Sequence, residues 1–125
     1  DMLRVDCEPS REGGASLVVG TGPHVLRGVE WNGPALIAYS LGNLVTYGPF
    51  NHTGYTDVGA ILCATIAADG SVRDAVLRST RQRAPGYVRA DPTGRGARVV
   101  EELSAQDFPV TGAEVTATGE VKRRP

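Results

Sequence analysis

The apolar positions fall into short runs separated by Gly, Pro, Asn-Gly and Asp-Gly, the punctuation of a strand-rich chain. Ser16-Leu17-Val18-Val19-Gly20 is an apolar run that stops at a glycine and predicts a buried strand over 16–20. Residues 25–31 alternate in part and predict a second strand, which meets Asn32-Gly33. That pair is the strongest short hairpin signal, because a type I′ turn needs positive φ at both central residues. Pro34 opens the returning strand, predicted over 35–39, at a position where a missing N–H is tolerated. Residues 58–67 are nearly all apolar and predict a strand covered on both faces. Asp69-Gly70 predicts a second hairpin turn into an alternating strand over 71–80, in which Val72, Ala75 and Leu77 mix with Arg73, Asp74 and Arg78. One helix is predicted near 94–105, where Ala97, Val100 and Leu103 recur at spacing three and Glu101 and Glu102 face outward.

Between these elements lie a polar, irregular arm over 1–15, a long loop over 44–57 and a basic loop over 81–91 around Pro85-Gly86. A loop as long as 44–57 is expected to be functional or irregular rather than a plain connection. The tail over 110–125 has room for one weak strand. The predicted organisation is therefore an N-terminal arm (1–15), a single domain (16–109) and a tail (110–125), without internal repeats.

Composition adds bounds. A chain of 125 residues is long enough for one domain with a modest core. Hydrophobic residues are 41% and charged residues 22%, ordinary for a globular protein, while Gly 16 and Pro 8 favour a loop-rich β-type chain. The net charge of −1 gives no electrostatic case for nucleic acid or an anionic membrane, and Lys122-Arg123-Arg124 reads as a solvated basic end. No signal peptide is read from Asp1 onward, and no apolar run approaches the roughly 20 residues of a membrane helix. Cys7 and Cys63 match no metal or redox spacing. They are expected as unpaired thiols, with Cys63 a small buried apolar residue. A disulfide tying the arm to the sheet is the alternative in an exported protein.

The candidate chemistry lies in two loops. Gly20-Thr21-Gly22-Pro23-His24 leaves the first strand, and Tyr39-Ser40-Leu41-Gly42-Asn43 follows the hairpin. Loops on a rigid sheet are where binding groups are usually displayed. The glycines read as backbone requirements whose N–H groups could cradle an anion. His24 could be a metal ligand or a phosphate-contacting group, or a histidine hydrogen-bonded at a loop end. Asn43 could bind substrate or serve a turn in which Asn tolerates left-handed φ. Ser40 has no neighbouring His and acid, which argues against a serine hydrolase. His52 reads as a loop residue, Glu30 and Trp31 as structural, and Arg81 and Arg83 as solvated cations or contacts for an anionic polymer.

Residues 17–30, Leu-Val-Val-Gly-Thr-Gly-Pro-His-Val-Leu-Arg-Gly-Val-Glu, resemble the Gly-His-x-Pro-His segment of the poly-γ-glutamate capsule-biosynthesis (CapA-type) family. Ile37-Ala38-Tyr39-Ser40-Leu41-Gly42-Asn43 is similar to the Tyr-Ser-Leu-Gly-Asn segment that follows it there. Tyr47-Gly48-Pro49-Phe50-Asn51, the Asp69-Gly70 hairpin, Leu103-Ser104 and Asp107-Phe108-Pro109 also fit, so the resemblance runs over about residues 14–109. It implies a β-rich α/β fold, the C-terminal half of a calcineurin-like metallophosphatase β-sandwich flanked by helices. It further implies a site for two divalent metal ions and hydrolase-type chemistry in the synthesis of poly-γ-glutamate or another cell-envelope polymer, in the cell envelope or outside the cytoplasm.

By the same resemblance, His24 is the candidate catalytic and metal-ligating residue, and Gly22, Ser40, Asn43 and Asn51 are candidate substrate-binding residues. The partners implied are an N-terminal half of the domain or a second subunit, with an anionic polymer as substrate. An orphan half-sheet is also expected to self-associate. Thr21 stands where the family has its first histidine, and a neutral hydroxyl is a poor replacement for imidazole on a transition metal. The chain has two histidines, His24 and His52, too few for a complete di-metal site. A degenerate binding or structural module of the same fold is therefore the alternative function.

Overall fold

The computed structural model describes residues 13–46 and 54–125. Within them the chain is a β-rich α/β fold of three sheets and one long helix. The first sheet has the order β1–β3–β2, with β1 (Leu17–Val19), β2 (Val29–Asn32) and β3 (Ala35–Ala38). β3 is central, parallel to β1 and antiparallel to β2. The expected type I′ turn on Asn32-Gly33 is corrected: Asn32 pairs with Ala35, so Gly33 and Pro34 make the turn, and of Asn32 and Gly33 only Gly33 has positive φ. β3 reads Ala-Leu-Ile-Ala and is buried throughout, because its own chain covers both faces. Leu36 belongs to the larger core cluster, together with Leu26, Val29, Trp31, Val58 and Leu77. Ile37 points the other way, to a small cluster with Val18, Tyr39 and Phe108.

The second sheet is the hairpin β4 (Val58–Ile66) and β5 (Val72–Arg83), extended by β6 (Tyr87–Ala90). Asp69 makes the β4–β5 turn by accepting hydrogen bonds from the Ser71 N–H at 2.9 Å and hydroxyl at 2.7 Å. These bonds favour the ionised carboxylate and lower the pKa of Asp69 below its ordinary value. The helix α1 (Arg95–Asp107) packs against β2, β4 and β5, and the small hairpin β7 (Ala113–Val115) and β8 (Val121–Arg123) closes the core beside it.

Several expectations are corrected. The strand expected over 25–31 is regular only from Val29. Before it, the chain is held by a bridge between Leu26 and Leu41 and by the Arg27 N–H to Ser40 carbonyl bond. The basic loop expected over 81–91 is instead the end of β5 and the whole of β6, since Arg81, Gln82 and Arg83 pair with Arg89, Val88 and Tyr87. The tail contributes two strands, not one, and Ala113, Val115 and Val121 are buried core residues. β4 is not covered on both faces: only Val58, Gly59 and Ala60 are buried, and Cys63 is exposed and free.

On α1 the buried residues are Gly96, Ala97, Val100 and Ser104, so a serine lies where the apolar pattern pointed to Leu103. The reason is chemical. The Ser104 hydroxyl donates to the Val100 carbonyl at 2.6 Å and accepts the Val29 N–H at 2.9 Å, which joins helix to sheet in the core with no polar group left over. Glu101 does not face outward unengaged either: it accepts the Val115 N–H and pairs with Arg124, pinning the tail to the helix.

Candidate functional site

The two motif loops leave adjacent strands of the first sheet, which brings residues nineteen positions apart into contact. Gly20 continues β1 against β3, its N–H bonded to the Ala38 carbonyl; a Cβ there would stand 2.5 Å from the Tyr39 carbonyl oxygen. Only glycine allows that approach. Gly42, at φ 71°, sits 2.8 Å in Cβ terms from the Val58 carbonyl oxygen and bridges to Gly59, which seats the second loop on the start of β4. Both loops are therefore anchored by close backbone contacts before any functional side chain is considered.

His24 lies at the tip of the first loop with φ 58°. Among the described residues it is the one non-glycine in the left-handed region, a conformation that costs an ordinary side chain about 1–2 kcal/mol. Of the two alternatives for Asn43, the left-handed turn position is not the one it takes: that geometry falls on Gly42 and His24. What holds His24 there includes its ring. Nδ1 is 2.8 Å from Asn43 Oδ1. The other end of the Asn43 amide is fixed as well, because Nδ2 donates to the Thr56 carbonyl at 3.2 Å.

An amide oxygen can only accept, so in the neutral ring the proton sits on Nδ1 and the lone pair is left on Nε2. The ring is exposed, and its free nitrogen is available to a ligand. A histidine whose inner N–H is held by an oxygen acceptor and whose outer nitrogen is basic has the arrangement usual for metal ligation.

The remaining candidates divide. Gly22 is exposed on the His24 loop, at φ 130°. Ser40 is buried, and its hydroxyl accepts the Gly42 N–H at 3.2 Å; it shapes the Asn43 loop rather than facing outward. Asn51 and His52 lie outside the described residues, as does Cys7. Thr21 is exposed at the loop start. Among the described residues, no group of three or more His, Cys, Asp or Glu is gathered. Arg81 is occupied by Asp57 at 3.2 Å, whereas Arg83 is exposed. Glu30 is structural: buried, it accepts bonds from the Tyr39 and Thr111 hydroxyls, both at 2.9 Å. Trp31 is structural too, with its indole N–H on the Lys122 carbonyl and Arg123 stacked over its ring at 4.2 Å.

A groove of about 320 Å³ begins one residue after His24 and runs between its loop and α1. Val25, Leu26, Val99 and Leu103 make its apolar wall, and Arg27, Tyr55, Glu102 and Gln106 supply polar groups. Tyr55 is held from the helix side by Arg95, whose guanidinium lies 5.5 Å from the ring centroid and donates to the Gly54 carbonyl at 3.1 Å. The sequence pattern did not single out Tyr55 or Arg27. An exposed aromatic in the long 44–57 loop was the available signal.

The family model described as bacterial capsule synthesis protein, PGA_cap, matches residues 9–47. Its described part contains β1, the His24 loop, the β2–β3 hairpin and Asn43. Over that segment the match agrees with the resemblance to CapA-type capsule-biosynthesis proteins. No curated protein matches the chain.

Proposed function

We propose that this chain, carrying the capsule-synthesis segment over 9–47, contributes His24 to a metal-dependent hydrolase site acting on poly-γ-glutamate or another anionic cell-envelope polymer. The observation that carries this reading is the tether Thr56 carbonyl–Asn43 amide–His24 Nδ1, which leaves Nε2 as an outward-facing base. A divalent ion held there would polarise a phosphoryl or carbonyl oxygen and lower the pKa of water. Among the described residues one ligand position is found and not a full set; in this reading the other ligands come from outside them, with an N-terminal half of the domain or a second subunit as the source. Asn43 fixes the tautomer and orientation of His24. Arg27 and Tyr55 border the adjoining groove, where a cation and a phenol suit an anionic chain with an aliphatic backbone.

The test is titration of the full chain with Zn²⁺, followed by the imidazole nitrogen resonances and by calorimetry. The expected result is weak binding at His24 that disappears in His24→Ala and strengthens in Thr21→His, which restores the second imidazole of the motif. Zn²⁺ that leaves the His24 resonances unmoved in both wild type and Thr21→His would overturn the ligand role.

A second reading, a degenerate binding or structural module, is favoured by Thr21 in the first histidine position. It predicts that Zn²⁺ leaves His24 unmoved in the wild type and that Thr21→His gains affinity.

A further inference from the structure

Cations are unevenly placed along the chain. Of its 13 Lys and Arg residues, Arg78, Arg81, Arg83, Arg89, Arg95 and Arg98 fall between positions 78 and 98, where Asp91 is the only acid, although the net charge of the whole is −1. Asp91 is buried and bonded to the Thr93 hydroxyl at 2.7 Å, so it is not displayed beside them. The fold gathers three of these arginines. Across β5 and β6, Arg81 opposes Arg89 and Arg83 opposes Tyr87. Directly opposed residues, and alternate residues along a strand, lie on one face of a sheet. Arg81, Arg83, Tyr87 and Arg89 therefore share a face, rooted about 5 Å apart across the strands and about 7 Å apart along them. Like charges set directly opposite each other destabilise a sheet. Asp57 relieves the Arg81–Arg89 pair in part, taking the Arg81 Nε at 3.2 Å. Arg83 and Arg89 are exposed and have no acidic partner among the described residues. One charge is enough to discourage strand addition at the β6 edge; the further cations and a tyrosine that is 66% exposed are not needed for that. The same face runs toward the groove beside His24. The Ser79 hydroxyl, two residues before Arg81, accepts the Ala97 N–H and seats the start of α1 there. Arg95, in that first turn, reaches Gly54 and Tyr55, and Tyr55 lines the groove.

We propose that the face formed by Arg81, Arg83, Tyr87 and Arg89 is a second binding surface, for a linear polycarboxylate whose carboxylates meet the guanidinium groups and whose aliphatic stems lie on the tyrosine ring. Charge complementarity selects the ligand. The guanidinium fork matches a carboxylate, and Asp57 on Arg81 is one carboxylate already received there. A single anion is met by the closely spaced Arg81–Arg89 pair. Arg83, about 7 Å further along the strand, calls for a second anionic group on the same molecule. The surface takes the polymer of the proposed function, on which it rests, yet needs no metal ion.

The test is calorimetric titration of the full chain, in chelator, with short poly-γ-glutamate, with glutamate monomer and with a thymidine oligonucleotide of the same charge as the polymer. Wild type is compared with Arg83→Glu and Arg89→Glu. The expected result is that the polymer binds without metal, more tightly than the monomer or the oligonucleotide. Each charge reversal weakens it about tenfold, and raising the salt from about 0.01 M to about 1 M removes it. Arg89→Glu sets a carboxylate opposite Arg81, so its melting temperature holds or rises while its binding falls. Loss of folding does not produce that combination. No polymer binding, polymer affinity unchanged in both variants, equal affinity for the monomer, or tighter binding of the oligonucleotide would overturn the proposal. The metal reading fails separately, on a His24 ring that Zn²⁺ leaves unmoved.

Discussion

β3 and β4 look alike in sequence and differ in the folded chain. Ala35-Leu36-Ile37-Ala38 and Val58–Ile66 are both nearly uninterrupted apolar runs. β3 is buried at every position, flanked by β1 and β2. β4 is buried only in its first three residues, where the Asn43 loop lies against it; of its last six, Leu62 and Ala64 are half-buried and the rest exposed. An apolar run states that a segment is costly to leave in water. It does not state what covers it. The chain covers β3 with its own strands, and the two motif loops spring from that rigid sheet. The far half of β4 is left without a covering strand among the described residues.

The largest effect that sharpens this contrast is expected from truncation. Leu36→Ala removes a fully buried side chain from β3 and should cost about 2–5 kcal/mol. Ile61→Ala on exposed β4 should change the monomer by about 0.5 kcal/mol or less. Urea unfolding at low protein concentration compares them, and equal losses would break the contrast.

Next comes Ser104→Ala, which leaves the Val29 N–H without its partner in the core and should cost about 1–3 kcal/mol in the same assay. Asn43→Ala is smaller, about 1 kcal/mol, because its bonds are only partly buried. Its signature is a shift of the His24 ring toward a mixture of tautomers in nitrogen spectra.

The smallest effect concerns pH. Burial pushes the Asp91 pKa up, but hydrogen bonds from the Thr93 hydroxyl and N–H, with help from the Arg95 N–H and the Arg81 charge, outweigh it and leave it below 3.8. A folded pKa below the unfolded one means the stabilisation is complete above about 3.8 and fades as pH falls through the lowered folded value. Melting curves on either side of pH 3.8 should therefore show an acid-side loss that Asp91→Asn lacks. A loss appearing only toward higher pH would reverse the assigned sign.

Much of this was legible from local chemistry. Asn32-Gly33 and Asp69-Gly70 located both hairpins, because each supplies a glycine that takes positive φ, although the turns formed are Gly33-Pro34 and the loop over 68–70. The order of the Gly-x-Gly-Pro-His and Tyr-Ser-Leu-Gly-Asn segments pointed to His24 and Asn43, which the sheet does bring together. Pattern failed where long-range partners decide. Nothing local marks Ser104 as a core residue, since its burial depends on an N–H seventy-five positions away. Pro85-Gly86 read as a loop because a tight turn between Arg83 and Tyr87 leaves too few residues to show its strands. Cys63 read as buried because its neighbours are apolar, although among the described residues no strand covers that edge of β4.

The central claim is that Asn43 holds His24 with its basic nitrogen turned outward. The most direct measurement is long-range proton–nitrogen correlation of the His24 ring near neutral pH, in wild type and Asn43→Ala. The account predicts a ring protonated on Nδ1 in wild type, with Nε2 moved first on adding Zn²⁺ and the preference lost in the variant. A ring protonated on Nε2, or one that Asn43→Ala leaves unchanged, would contradict it.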